Sequence, residues 1–292
     1  MSTDTTAVQT ADTAGASRPH LLRRLARDPL ALIALIFLVL IVVAALLAPV
    51  LAPFDPYDTN LRMRLRPPGG DHLLGTDTQG RDLLTRLLYG ARTTLALGFA
   101  SIVVGSLIGT SIGLAAAFYR RLEGPLMRLV DILLSFPSIL FGLALAAMLG
   151  VGMDSLVIAL GLSAAPPIAR VARATAASVM QAEYMDAGRV IGLSDSALIR
   201  RYLLRNCAAP IVVYCSLQFG ETILLAAALG FLGLGLQPPT AELGSIAAEG
   251  RSFIFLAPHV STAASLLIFM IVLSCNLLGD AFRDLTDPKL QR

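Results

Sequence analysis

The chain has 292 residues, of which 55% are hydrophobic and 15% are charged, with a net charge of +3. A soluble protein carries about 25% charged residues, and a mean hydropathy of +0.73 excludes an ordinary soluble domain. Apolar runs longer than about 18 residues recur, and each can cross a hydrocarbon core about 30 Å thick. We therefore predict an all-α polytopic membrane protein.

The N-terminal region predicts a cytoplasmic tail over residues 1–29, followed by a first transmembrane helix. Four arginines precede the charge-free run 30–54: Arg18, Arg23, Arg24 and Arg27. That run is longer than the apolar core of about 7–15 residues in a signal peptide. Positive charge before it places its start in the cytoplasm.

The second predicted unit, residues 30–92, combines the first helix with an outer loop rich in proline and glycine. Towards its end the pattern becomes amphipathic, with Leu83, Leu84, Leu87 and Leu88 on one side. This pattern is typical of a helix that lies at the membrane interface.

The third unit, residues 93–281, is predicted to be the membrane core, and residues 282–292 a cytoplasmic tail. Its spans are expected at 93–119, at 132–153, from Ser155 through Pro166 and Pro167 to the inner interface, at 210–235 and at 258–279. Gly105, Gly109 and Gly113 recur at four-residue intervals, which favours close helix packing in lipid. Six spans result, with both termini inside, and the inner segments hold the larger share of Lys and Arg.

A polar stretch, 170–206, lies between two of these spans and carries six arginines. Tyr184, Ala187, Gly188 and Ile191 fall at i, i+3, i+4 and i+7, so they share one mostly small face of a helix. Gly192 is expected to end that helix, and Ser194 to cap a second one. The stretch is either an ordinary cytoplasmic loop or a docking hairpin that fits a partner's groove.

The run EYMDAGRVIGLSDSALIRRYLLRN (183–206) resembles the coupling loop of permease subunits in bacterial ABC importers. It is most similar to the oligopeptide, dipeptide and nickel branch, where an acidic residue, two alanines and a later glycine are expected. Here Asp186, Ala187, Gly188 and Gly192 stand at those positions, whereas Arg205 replaces the usual proline. The strings HLLGTD, RLLYGAR, FLGLGLQPPT, GSIAAEGR and NLLGDAFRDLTDP match the same branch.

The resemblance implies a type I ABC importer permease in the bacterial inner membrane, forming half of a pathway for di- and oligopeptides. Implied partners are a second, related permease subunit in a heterodimer, two cytoplasmic ATP-binding subunits, an extracytoplasmic solute-binding protein and the lipid bilayer, without nucleic acid. Nickel chelates, glutathione and opine-type solutes remain alternative cargoes. The residues implied in coupling to the ATPase are Glu183, Tyr184, Asp186, Ala187, Gly188, Ile191, Gly192 and Ser194.

Catalytic, metal-binding and cofactor-binding patterns are absent from the sequence. Its only lysine is Lys289, so no phosphate-binding GxxxxGK[ST] loop exists, and we predict a non-catalytic subunit. A self-sufficient secondary transporter is the rival of a different class. It would need coupling-ion carboxylates in broken helices and inverted repeats, and neither is evident.

Two polar residues, Gln218 and Glu221, fall at membrane depth within the fifth predicted span. An ionisable group there is costly and indicates a function. They face either the transport pathway or the interface with the second subunit. The family often has a glutamate shortly before FLGLG, but Ala226 lies there, so Glu221 does not inherit that role by position.

Overall fold

The computed structural model describes residues 28–286, so residues 1–27 of the predicted tail 1–29 and residues 287–292 of the predicted tail 282–292 lie outside that range. The described part is helical and contains no β-strand beyond two isolated bridges. The first four helices are α1 (Pro29–Leu46), α2 (Ala48–Leu51), α3 (Leu83–Phe118) and α4 (Arg120–Ser135). Next follow α5 (Ser138–Leu149), α6 (Met153–Met180), α7 (Glu183–Val190), α8 (Asp195–Leu198), α9 (Leu204–Phe231), α10 (Leu243–Arg251) and α11 (Pro258–Thr286). The outer loop holds one 3-10 turn, Leu61–Met63.

Five of the described helices are long and apolar enough to cross a membrane, which confirms the all-α polytopic prediction. They are α1, α3, α6, the continuous helix Asp195–Phe231 and α11. The pair α4 and α5 makes a sixth span only if its two bent halves are taken together, because they meet at 95°. The count of six thus depends on a broken span.

The third span, predicted at 132–153, is not one continuous helix, because the structure breaks it between α4 and α5. The chain turns at Phe136 and Pro137, where Phe136 has an extended backbone (φ −85°, ψ 136°). A residue before proline is driven out of the helical region, which ends α4 there. Asp131 therefore lies inside α4 rather than at the start of a span, and α5, with 12 residues, is only about 18 Å long.

The second span starts earlier than expected, at Leu83, and the separate interfacial helix predicted from residues 83–88 is wrong. Asp82 caps α3, since its Oδ2 accepts from the Thr85 backbone N–H at 2.8 Å. Leu83 and Leu87 are buried in a cluster with residues of α9, α10 and α11. The amphipathic pattern therefore reflects packing against protein at the N-terminal end of a 36-residue helix.

The contact between α3 and α6 is lined by the three glycines at four-residue spacing. A Cβ on Gly109 would lie 2.5 Å from the Ala165 carbonyl oxygen, and one on Gly113 would lie 2.5 Å from that of Ala169. A Cβ on Gly105 would meet the Gly161 carbonyl oxygen at 2.8 Å. The two backbones approach so closely that any side chain at these positions would force them apart.

As expected, α6 continues through Pro166 and Pro167 to a polar C-terminal end. There Arg170 pairs with Asp131, and Arg173 pairs with Glu123. Both acidic partners belong to α4, so two ion pairs connect α4 to the C-terminal half of α6.

We predict that Gly113→Ala lowers the midpoint of thermal unfolding in detergent. Its methyl group would lie within 2.7 Å of the Ala169 oxygen, the Ala172 Cβ and the Arg173 nitrogen, and overpacking costs about 1–3 kcal/mol. Gly124→Ala is the matched control, because Gly124 also lies in a helix but an added Cβ there would have no neighbouring atom within 4 Å. An equal midpoint for both variants would contradict the close α3–α6 contact.

Candidate functional site

The hairpin, residues 183–206, reverses direction after α7, and this reversal depends on a glycine. Gly192 has φ +81°, a conformation that glycine enters without steric cost. Its N–H donates to the Arg189 carbonyl oxygen at 3.0 Å, and the Leu193 N–H donates to that of Gly188 at 3.1 Å. These two bonds form a Schellman motif, which satisfies the last carbonyls of α7 and reverses the chain.

The predicted small-residue face divides into an inner and an outer part. Gly188 is buried, and a Cβ there would lie 2.7 Å from Leu198 Cδ2. Its lack of a side chain therefore allows α7 to pack on α8. Tyr184, Ala187 and Ile191 are exposed, so only this part of the predicted face is open to a partner.

The exposed surface of the hairpin is partly apolar at its tip. Val190 and Ile191 are 87% and 72% exposed, respectively, and the Tyr184 ring stacks on Tyr202 with centroids 6.2 Å apart. Val190 was not predicted as a site residue, although its position beside Ile191 was a signal. Exposed residues of the predicted set also include Glu183, Asp186, Gly192 and Ser194.

The second helix of the hairpin is not a separate element. Ser194 occupies the N-cap position of α8, but its Oγ contacts Ser196 Oγ at 3.3 Å and accepts no backbone N–H. From Asp195 the chain runs through a π-helical turn, Ile199–Leu203, directly into α9. Arg205 lies in the first turn of α9, so the hairpin and a membrane span share one continuous helix.

The polar pair at membrane depth lies on α9. Gln218 is 9% exposed, and its Nε2 donates to Glu221 Oε2 at 3.2 Å. Glu221 itself is exposed on the surface of the chain. Its carboxylate therefore lies on the surface of the chain, away from the protein core.

An outer ionic cluster, formed by Asp77, Arg81, Arg86 and Glu249, was not predicted. Arg81 Nε donates to Asp77 Oδ2 at 2.6 Å, and Arg81 Nη2 donates to Glu249 Oε2 at 3.0 Å. Arg86 Nη1 donates to the Pro239 carbonyl oxygen at 2.7 Å, while its other nitrogens lie 3.7 Å from Asp77 and Glu249. The cluster joins the outer loop, α3 and α10.

Burial raises the pKa of the Glu249 carboxyl, while Arg81 and Arg86 act in the opposite direction. Nearby Glu242 is buried and caps α10, accepting from the backbone of Gly244 and Ser245 at 2.8 Å each. Of these groups, Asp77, Arg86 and Glu249 lie within the strings HLLGTD, RLLYGAR and GSIAAEGR, respectively, whereas Arg81 and Glu242 lie outside the quoted strings. Within residues 28–286, no group of three or more His, Cys, Asp or Glu side chains is arranged to hold a metal ion.

Comparison with known proteins matches residues 88–292 to the family described as binding-protein-dependent transport system inner membrane component. The chain belongs to this family. Residues 20–68 match the N-terminal transmembrane domain of oligopeptide transport permease C. The structure resembles the MetNI methionine ABC transporter solved in inward-facing conformations, with a TM-score of 0.58, 21% identity and coverage of 70% of this chain and 98% of that one.

Three curated relatives cover most of the chain. A putative peptide transport permease of Brucella abortus is 43% identical, covering 92% of this chain and 91% of its own length. A di/tripeptide transport permease of Pseudomonas aeruginosa is 44% identical, with 88% and 87% covered. A glutathione transport permease of Pectobacterium atrosepticum is 40% identical, with 92% and 90% covered. The chain is a permease component of an ABC importer.

We predict that Asp77→Asn strongly destabilises the folded chain. It leaves the guanidinium groups of Arg81 and Arg86 buried beside a single carboxylate, and breaking a buried ionic network costs about 3–5 kcal/mol. Thermal unfolding followed with a thiol-reactive dye measures this, because Cys207 and Cys275 are buried. Asp186→Asn is the control, since it breaks only an exposed pair with Arg189. Equal midpoints would contradict a stabilising role for the cluster.

Proposed function

We propose that this permease carries di- and oligopeptides and forms half of the pathway with a second, related permease subunit. Two cytoplasmic ATP-binding subunits drive it through the hairpin, and an extracytoplasmic solute-binding protein delivers the cargo. On this proposal residues 1–29 and 282–292 are cytoplasmic tails, and 30–92 and 93–281 are the outer-loop unit and the permease core. Both termini lie inside, with 170–206 as the coupling loop.

The continuity of the hairpin with α9 carries this proposal. A partner that moves Tyr184, Ala187 and Ile191 displaces α8, and α8 is the start of the helix Asp195–Phe231. In hydrocarbon the backbone hydrogen bonds of such a helix have no competing partners. The helix therefore transmits displacement from the hairpin to the depth of Glu221.

The cargo is inferred from the relatives. Two of those named above are described as peptide or di/tripeptide transport permeases, and the third as a glutathione transport permease. Peptides are the class that these share, since glutathione is itself a tripeptide. Glutathione import by the same architecture is the second candidate, and nickel chelates and opine-type solutes are further alternatives.

Positive charge supports the orientation. Arg170 and Arg173 lie in the C-terminal part of α6. Arg200, Arg201 and Arg205 precede the hydrophobic part of α9, and cytoplasmic segments carry an excess of such residues. The outer ionic cluster lies at the N-terminal end of α3, away from these five arginines. Within it, the carboxylates of Asp77 and Glu249 neutralise Arg81 and Arg86.

We expect Ala187→Arg to weaken association with the ATP-binding subunits by about tenfold or more, because a bulky charge replaces a small exposed residue in a fitted contact. Co-purification of the complex and ATP-dependent uptake would both fall. Thr59→Arg is the matched control, since Thr59 is exposed on the outer loop.

Gly188→Leu separates the hairpin fold from its contact surface. Leucine there would collide with Leu198, so this variant should also lower the unfolding midpoint, whereas Ala187→Arg should not. Wild-type recovery of the ATP-binding subunits with Ala187→Arg would refute docking at this surface.

Glu221→Gln distinguishes the two roles of the membrane carboxylate. If Glu221 faces the pathway, the complex assembles normally and uptake of amine-bearing cargo falls by about tenfold relative to neutral cargo, because a charge-assisted hydrogen bond is lost. If it faces the second permease subunit, assembly weakens and every cargo is affected equally. Normal assembly with unchanged uptake of all cargoes would exclude both roles.

A further inference from the structure

The helix α4 lies across the direction of the neighbouring spans. Following it, α5 runs back along α6: Gly142 lies beside Ser163, and Ser155 Oγ donates to the Leu149 carbonyl oxygen at 3.1 Å. Since α5 and α6 are aligned and α4 is bent by 95° from α5, α4 runs close to the membrane plane. It does so at the level of Arg170 and Arg173, with which it forms ion pairs.

Both acidic residues of α4 lie on the side of the helix that faces the rest of the protein. Glu123 is paired with Arg173 and Asp131 with Arg170, while Val130 is buried between them along the helix. These contacts fix the rotation of α4 about its own axis. They also leave no carboxylate on α4 to neutralise its own arginines.

Three arginines of α4, namely Arg120, Arg121 and Arg128, are exposed. Among residues 28–286 none of the three has a hydrogen-bond or ion-pair partner. Arg121 and Arg128 are seven residues apart, so they lie two turns apart on one line of the helix. The adjoining face carries exposed apolar side chains, Leu122, Leu129 and Ile132, and Phe136 is exposed directly after the helix.

We propose that α4 is an interfacial helix whose three arginines bind the phosphate groups of anionic phospholipids in the inner leaflet. A helix with a basic polar face and an apolar face lies in the interface plane, with the apolar face in the acyl boundary. Guanidinium groups form charge-assisted, often bidentate bonds with phosphate. The three unpaired charges match an anionic surface, and the adjacent apolar residues match lipid rather than a soluble partner.

This inference rests on the orientation given under Proposed function, in which the inner ends of α3 and α6 face the cytoplasm. The ion pairs at Arg170 and Arg173 give it a mechanical consequence. Lipid bound to α4 would hold the inner end of α6, which leads directly into the hairpin. The membrane surface would thereby set the resting position of α7.

The test uses the complete complex, purified with its ATP-binding subunits and placed in nanodiscs of phosphatidylcholine with increasing fractions of phosphatidylglycerol. Native mass spectrometry then counts the phosphatidylglycerol molecules retained on release from the disc. The test variant is R120Q/R121Q/R128Q, and R120K/R121K/R128K keeps the charge. The matched control, R62Q/R66Q/R92Q, removes three exposed arginines from the outer side.

We expect the glutamine variant to retain far less phosphatidylglycerol, by about fivefold for each arginine removed. The lysine variant should retain an intermediate amount, and the outer control should match wild type. Unchanged retention in the glutamine variant would overturn the proposal. Loss of the ATP-binding subunits with unchanged lipid retention would overturn it too, because α4 would then be a protein contact.

Two further measurements keep the outcome interpretable. If the triple variant is unstable, Arg121→Gln alone, with an unchanged unfolding midpoint, should still lower retention by about fivefold. Orientation is tested separately with Asp71→Cys, which an impermeant thiol reagent should label only from outside. Labelling from inside would overturn the orientation under Proposed function. Lipid binding by α4 is tested separately, by the number of phosphatidylglycerol molecules retained.

Discussion

The need to satisfy every backbone hydrogen bond within hydrocarbon governs this structure. It makes the helix the only available spanning element in the described chain, and it also makes long helices the only rigid connections across the membrane. The helix Asp195–Phe231 illustrates both effects, since it begins in a polar hairpin and continues through a segment long and apolar enough to cross the membrane. The helix passes through a π-helical turn at Ile199–Leu203 without a break.

The two ends of the molecule are fixed by ionic contacts of different kinds. At the outer end a buried cluster ties the loop before α3 to α10, which locks Arg81 and Arg86 between Asp77 and Glu249. At the inner end exposed pairs connect α4 to α6. Exposed ion pairs contribute little stability, so these two pairs add less to the stability of the fold than the buried cluster does.

The sequence predicted the features that follow from local chemistry. Apolar runs specified the spans, Gly192 specified the end of α7, and the spacing of Gly105, Gly109 and Gly113 indicated a close helix contact. It missed features that depend on distant residues: the outer ionic cluster, the burial of Gly188 against Leu198 and the use of residues 83–93 within α3. The break at Phe136 and Pro137 was readable from the proline, but hydropathy alone favoured a continuous span there.

ATP-driven transport by the assembled complex is the central claim, and uptake of a labelled tripeptide into proteoliposomes tests it most directly. The vesicles would hold both permease subunits and the ATP-binding subunits, with the solute-binding protein on the side opposite the hairpin. Uptake should require ATP on the hairpin side and should be indifferent to proton or sodium gradients. Uptake driven by an ion gradient without ATP, by this chain alone, would contradict the account.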